Sequence, residues 1–544
     1  MRNFLFAISA ILLLSSCGNR QPVDIIVHHG KVYTVDNAFS VAEAFAVKDG
    51  KIIAIGKNED ILMRYKATEA VNAKGYPVYP GFIDAHAHFV GYGRSLFEVN
   101  LYDCKNWEEV ITRVQVFAKA HPTEKWIRGR GWDQNKFPNQ AYPDNTKLNE
   151  LFPVKPVLLE RVDGHAAIAN TTALALGNVN ADRSVTGGSI EVKEGKLTGL
   201  LIDNAVDLVS GAVPHPKKAD YAQWLDAAQK NCFEQGLTTI TDCGLMYYDV
   251  DMIDTLQREK KLMMRMYVML TDSVSNFERY IAKGPYKTDR LFVKGVKAYA
   301  DGALGSRGAC LLQPYNDKAG WLGFLLNPVS HYDSLAKMLA TTDFQLCTHA
   351  IGDSGNRMVL NVYNKYLKGK NDKRWRIEHA QVVNQNDFNL FGTASVIPSV
   401  QPTHATSDMY WATDRIGAER LKGGYAYKQL LDQNGWLPLG TDFPVEDISP
   451  FKTFYAAVIR KDAKGMPVGG FQKENALTRE QALRGMTIWA AKAGFMERET
   501  GSIEVGKKAD FVIVNTDLIH APESDLLGAK VFTTFIGGDR VYGK

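Results

Sequence analysis

The chain has 544 residues, 45% of them hydrophobic and 23% charged, and its 64 basic and 60 acidic residues leave a net charge of +4. That is ordinary globular composition, long enough for one large domain and a smaller one. The two signs of charge are mixed along the chain, and the lack of a basic block or aromatic-basic stripe excludes a nucleic-acid surface.

Taken in chain order, Met1-Arg2-Asn3 is a short positive stretch, residues 4–14 are largely apolar, and Leu14-Ser15-Ser16-Cys17 sets small residues before a cysteine. The apolar run is short for a transmembrane helix and reads as a secretory signal. An uncleaved anchor, or a general signal peptide with an incidental Cys17, are the alternatives. The segment resembles a bacterial lipoprotein signal, in which the cysteine is lipidated and becomes the mature N-terminus. Residues 1–17 would then be the signal, and acyl chains on Cys17 would tie the chain to the cell envelope. Gly18 and Asn19 follow, with no Asp, which under that resemblance implies the outer membrane facing the periplasm. Cys104, Cys232, Cys243, Cys310 and Cys347 are scattered, odd in number and without CxxC spacing. They read as small buried hydrophobes, not a disulfide framework.

Residues 23–27 and 31–35 read as strands, as do 44–47 and 51–55 around the turn signal Asp49-Gly50. The C-terminus mirrors them at 510–514 and 530–536. The expected arrangement is a small β-sandwich-like domain built from 22–79 and 500–544, the alternative being two separate β appendages. His28 and His29 lie in this part and read as turn or surface residues.

Between the β-rich ends, residues 80–499 alternate strand-like runs with helical stretches. The runs are 80–86, 237–242, 262–270, 292–299, 344–349, 375–379, 395–400 and 436–441, which fits an α/β fold of the parallel (β/α)8 barrel type. The count treats about 95–220 as an insertion after the first strand, with strand-like pieces at 126–131, 156–161 and 196–202. Lys125, Arg128 and Arg130 read as a solvated strand face, and Met263, Met264, Met266 and Met269 as core.

Function in such a barrel gathers at the C-terminal strand ends. The first ends in His86-Ala87-His88, whose period-two spacing turns both imidazoles to one side, as a divalent metal requires. The fourth carries Lys297, the fifth His349, the sixth His379 and the eighth Asp442. No GxSxG elbow is present, so a serine route is not indicated.

The segments PGFIDAHAHF, GWDQNKFP, DGHAAIAN, KAYADGALGSRGA, THAIGD, RIEHAQ and GTDFPV resemble the metal-dependent amidohydrolase superfamily, and within it the family 3 group that includes N-substituted formamide deformylases. The resemblance runs from about Asp24 to the C-terminus. It implies one or two divalent ions, zinc being expected, with His86, His88, His349, His379 and Asp442 as ligands. Lys297 matches the position of a carboxylated lysine bridging two ions. The alternative is a structural Lys297 paired with Asp301 and a single ion. A metal-activated hydroxide would attack a small amide-like substrate (non-peptide, N-formyl or cyclic), with Asp442 accepting the water's proton and passing it to the leaving amine. His165 reads as a substrate or lid contact. Trp132, Asp133, Arg307 and His404 are expected along the same pocket, and Gly302, Gly305 and Gly308 as a loop passing close over a ligand. Deamination, dipeptide cleavage or other hydrolysis at the same site, and a non-catalytic metal-bearing binding lipoprotein, stay open as alternatives. A homodimer is among the allowed assemblies.

Overall fold

A computed structural model describes residues 20–543. The signal segment and Cys17 lie outside the described residues. Among the described residues, no helix is long and apolar enough to cross a membrane.

Seven strands make a parallel barrel wall: β1 (Phe82–Ala87), β2 (Leu237–Leu245), β3 (Arg265–Thr271), β4 (Leu291–Tyr299), β5 (Gln345–Ala350), β6 (Arg376–His379) and β7 (Ile397–Ser399). The expected eighth strand, 436–441, is not a regular strand. It is an extended segment that closes the barrel by hydrogen bonds to both neighbours. Gly440 N–H donates to Val400 O at 3.0 Å, Ala85 N–H to Leu439 O at 3.2 Å, and Asp442 N–H to His86 O at 2.8 Å. Close approach is the reason for the irregularity. A Cβ on Gly440 would sit 2.5 Å from His86 N, so only glycine lets the segment lie this near β1. Asp84, buried in β1, stitches the closure by accepting from Thr441 Oγ1 at 2.7 Å and Thr441 N–H at 3.0 Å. Burial pushes the Asp84 carboxyl up to about 7.

The two chain ends form a pair of sheets beneath the barrel. One has four strands, Gln21–His28, Ala44–Lys48, Lys51–Gly56 and Tyr65–Asn72. In the other, C-terminal strand Phe511–Val514 pairs antiparallel with Pro77–Pro80, with Phe511 opposite Pro80. Ile25, Val27, Phe45 and Val78 from one end share a core with Ile503, Phe511, Ile513 and Phe535 from the other. The turn at Asp49 and Gly50 has φ of 50° and 72°, as an Asp-Gly hairpin requires.

Arg265, at the start of β3, fastens this layer to the barrel floor. Its Nε and Nη2 reach the two oxygens of Asp510 at 3.0 and 3.1 Å. Thr500 Oγ1 and Gly537 N–H donate to the same carboxylate at 3.0 and 2.7 Å. Burial pushes the Asp510 carboxyl up, but Arg265 and these donors outweigh it and hold it below the usual value.

The insertion after β1 is a folded unit with its own six-stranded sheet, which includes Ile127–Trp132, Val157–Arg161 and Lys196–Asp203. Its core contains Trp132, fully buried, with Nε1 donating to Leu159 O at 2.7 Å. Lys125 is exposed, but Arg128 and Arg130 are not the solvated face that strand alternation suggested. Both are largely enclosed in a cluster with Arg94, Glu98 and Glu160. The reason is that this face of the insertion sheet is turned toward the barrel mouth. Cys104, Cys232, Cys243 and Cys347 are buried free thiols, and Cys310 is partly buried.

Candidate metal centre

Four strand ends and the closing segment converge on one point. β1 delivers His86, fully buried, and ends at Ala87, so His88 sits one residue beyond, where it precedes helix Phe89–Ser95. Both imidazoles nonetheless reach the same carboxylate. His88 Nε2 lies 3.2 Å and His86 Nε2 3.6 Å from Asp442 Oδ1. Asp442 has a φ of 64° and His379 a φ of 73°, left-handed conformations that Asp and His tolerate better than most non-glycine residues.

β5 and β6 bring His349 and His379 to the cluster, their ring centroids 4.6 Å apart, with His379 4.8 Å from His86. Lys297, almost fully buried on β4, points its Nζ at His86 Nε2, 3.3 Å away. It is not paired with Asp301, whose carboxylate instead accepts the backbone N–H groups of Ile351, Gly352 and Cys310 at 2.8–2.9 Å.

Hydrogen bonds behind the imidazoles fix their orientation. His86 Nδ1 bonds Glu378, which Arg376 grips from below through Nε at 2.7 Å and Nη2 at 2.9 Å. His379 Nδ1 is 2.6 Å from Gln401 Oε1. In each ring the bonded Nδ1 carries the proton, which leaves the Nε2 lone pair for the cavity. Glu378 and Gln401 escaped the sequence reading. The available signal was Arg376-Ile377-Glu378, two charges at strand spacing in a run buried on both faces.

His404, expected as a pocket residue, lies deeper than that. It follows β7 on helix Pro402–Asp408, stacks on His379, and places Nε2 3.6 Å from Asp442 Oδ2. His86, His88 and Asp442 form one potential ligand group, and His379, His404 and Asp442 another.

Burial drives the imidazole pKa values of His86, His349 and His379 well below the ordinary value, and that of His88 down less. The rings are therefore neutral, as ligands must be. Burial pushes Asp442 up, but His86, His88 and His404 outweigh it and hold the carboxyl far below its usual range. Burial alone lowers Lys297, yet Tyr299, Cys243, Glu378 and Asp442 together raise it. The protein groups by themselves thus favour the ammonium, opposite to the direction expected from burial.

A divalent cation fits this donor set. Asp442 Oδ1, His349 Nε2 and His404 Nε2 are buried with no hydrogen-bond partner, a costly arrangement unless a cation balances it.

His165, from the insertion, reaches the same place. Its ring centroid is 5.0 Å from that of His349, and Nδ1 is 2.7 Å from Asp203 Oδ1. Gly302 and Gly308 wrap this carboxylate, since a Cβ on either would lie 2.5 Å from Asp203 Oδ2. Their loop therefore closes on an insertion side chain, where passage over a ligand was expected. The other pocket candidates are held by protein partners. Trp132 is in the insertion core, Asp133 accepts from Arg161 Nη2 at 2.6 Å, and Arg307 pairs with Asp317 at 2.9 Å. Each of the three is thus engaged by a neighbour other than the clustered histidines, and Asp133 stands at the mouth within electrostatic reach of Asp408, as His404 does.

Residues 69–542 match the amidohydrolase family. Protein LONG AFTER FAR-RED 3 of Arabidopsis thaliana is 32% identical over 95% of this chain and 91% of its own length. The N-substituted formamide deformylase of Arthrobacter pascens is 24% identical, over 95% of this chain and 97% of its own. Among solved structures, an uncharacterized metal-dependent hydrolase from Pyrococcus horikoshii OT3 superimposes with a TM-score of 0.76 at 27% identity, covering 92% of this chain and 99% of that one.

Proposed function

The chain belongs to the amidohydrolase family and is a metal-dependent hydrolase of carbon–nitrogen bonds, and from that premise we propose that its substrate is a small non-peptide amide of N-formyl or cyclic type. The observation that carries the metal-dependent chemistry is the meeting of His86, His88 and His404 on Asp442, with one carboxylate oxygen left buried and unpartnered, and the similarity to the N-substituted formamide deformylase supports the substrate class.

The residues that would hold a cation are His86, His88, His349, His379 and Asp442, with His404 as a further donor. A divalent ion there, zinc being the expected one, supplies Lewis acidity that lowers the pKa of a water and polarises a carbonyl oxygen. Asp442, as the carboxylate, is the base that takes the water's proton at a carboxylate oxygen. It returns that proton to the departing nitrogen, so the carboxylate is regenerated in each cycle. Glu378 and Gln401 keep the ring lone pairs aimed inward. His165, tethered by Asp203, is the insertion's contact with the substrate.

We assign Lys297, as its carbamate, to the donors that would hold the ions, beside His86. Its neutral amine would attack carbon dioxide, forming an N–C bond as one C=O π bond opens onto oxygen and releasing one proton to water, to give an anionic carbamate. Because its protein neighbours favour the ammonium, nearby cations are needed to tip that equilibrium. Cys17 is the proposed lipid attachment, placing the enzyme in the bacterial envelope at the outer membrane. Replacing it with serine should move the protein to the soluble fraction.

The test is to purify the chain without residues 1–17, count metals per chain, and screen N-formyl, N-acyl and cyclic amides. Turnover of one class by a metal-loaded enzyme is expected. Metal below about one equivalent, unrescued by zinc or manganese, would overturn the reading.

A further inference from the structure

Beside the histidine cluster, the insertion and the helix after β1 assemble three arginines and two glutamates. Arg94 Nε reaches Glu98 at 3.2 Å, and Arg128 reaches Glu98 at 3.3 Å and Glu160 at 3.0 Å. Those contacts use both carboxylates. Glu160 is correspondingly depressed to about 2, burial opposing and Arg94, Arg128 and Arg130 prevailing. Arg130 is the most weakly paired of the three arginines. Its Nη1 comes no nearer than 3.6 Å to Glu160, its Nη2 donates only to Val162 O at 3.2 Å, and its Nε is buried without a partner.

Its position is fixed from two sides. A Cβ on Gly164 would lie 3.1 Å from Arg130 Nη2, so the guanidinium rests on the turn that carries His165 toward His349. On the other side is the Tyr102 hydroxyl, which interacts with Arg130 and donates to Pro444 O at 2.5 Å, two residues beyond Asp442. Arg130 therefore lies between the His165 turn and the Tyr102–Pro444 contact, within electrostatic reach of Asp442 and His88. The carboxylates across the mouth already have donors: Asp133 has Arg161, Asp408 has Tyr425 at 2.8 Å, and Glu446 has Ser407 at 2.5 Å.

We propose that Arg130 determines specificity by pairing with a carboxylate on the substrate, so that the enzyme takes amides that also carry an acidic group. This rests on the hydrolase reading above and names its substrate class. A largely buried arginine with unfilled donors binds a carboxylate in a charge-assisted, two-point geometry that a neutral carboxamide cannot match. Its other neighbours survive its loss, because Glu160 keeps Arg128 and Arg94.

The experiment compares N-formyl amino acids with the corresponding N-formyl amino acid amides on metal-loaded protein. Wild type should favour the acid by about 100-fold in kcat/KM. In Arg130→Met that preference should fall to near unity, mainly through KM, and Arg130→Lys should retain part of it. An unchanged preference in Arg130→Met, with wild-type metal content and circular dichroism, would overturn the proposal, as would a wild type that prefers the neutral amide. A second measurement separates the two readings. If neither substrate is hydrolysed, the amidase assignment fails, and Arg130 is judged by calorimetric binding of the N-formyl amino acid. Wild-type binding weakened about tenfold or more in Arg130→Met supports the arginine's role, and equal binding in both proteins removes it.

Discussion

The floor and the mouth of the barrel both bury charge, and they treat it in opposite ways. At the floor, Arg265 and Asp510 satisfy one another through two hydrogen bonds, and Thr500 and Gly537 fill the remaining acceptor sites. At the mouth, neutral imidazoles and one carboxylate crowd together with buried atoms unpartnered. The floor is complete as folded, whereas the mouth is preorganised for something that carries positive charge. The same fold thus spends its well-paired ions on joining its two layers and its poorly paired ones on chemistry.

The sharpest way to break the contrast is at Asp442. Asp442→Asn should lower kcat by on the order of 10³-fold while metal content, measured by elemental analysis, stays close to wild type. Full turnover in this variant would take Asp442 out of the mechanism. The counterpart at the floor is Asp510→Ala, which strands Arg265. We expect a loss of about 3–5 kcal/mol in denaturant unfolding, and kcat per folded molecule near wild type.

A smaller effect is expected from the groups behind the ligands. Gln401→Ala should weaken metal binding by about 10–100-fold in a chelator competition, with less change in unfolding free energy than Asp510→Ala. The smallest concerns pH. The Asp510 carboxyl is depressed in the folded state, so its contribution is fully present above the unfolded value of about 3.9 and fades as pH falls through the folded one. Unfolding followed between pH 3 and 6 should therefore show a shallower acid limb in Asp510→Asn than in wild type. Identical limbs would show that the floor pair is not what acid breaks.

Much of the barrel was legible because buried parallel strands write themselves as short apolar runs. Seven of the expected eight are regular strands, and the eighth is held irregular by the contact between Gly440 and β1, which no local pattern records. His86, His88, His349, His379 and Asp442 were readable for the same reason, each standing at the end of such a run. What lay beyond reach depends on distant partners. Glu378 serves a histidine 292 residues away, and Gln401 matters only because it faces His379. Arg130 alternates like a surface residue, and only docking of the insertion on the mouth encloses it. His404 sits on a helix whose approach to Asp442 is set by β7, so its depth in the site could not be read from spacing.

The pairing of Phe511 with Pro80 has a consequence for synthesis. Pro80 leaves the ribosome some 430 residues before its partner strand, on the order of tens of seconds at usual elongation rates. Throughout that interval the strand leading into β1 has an open edge, and Arg265 has no Asp510. A chain stopped short of residue 510 would carry every proposed ligand of the metal centre on a barrel with no floor. Ribosome-bound fragments ending before and after that strand should differ sharply in protease resistance.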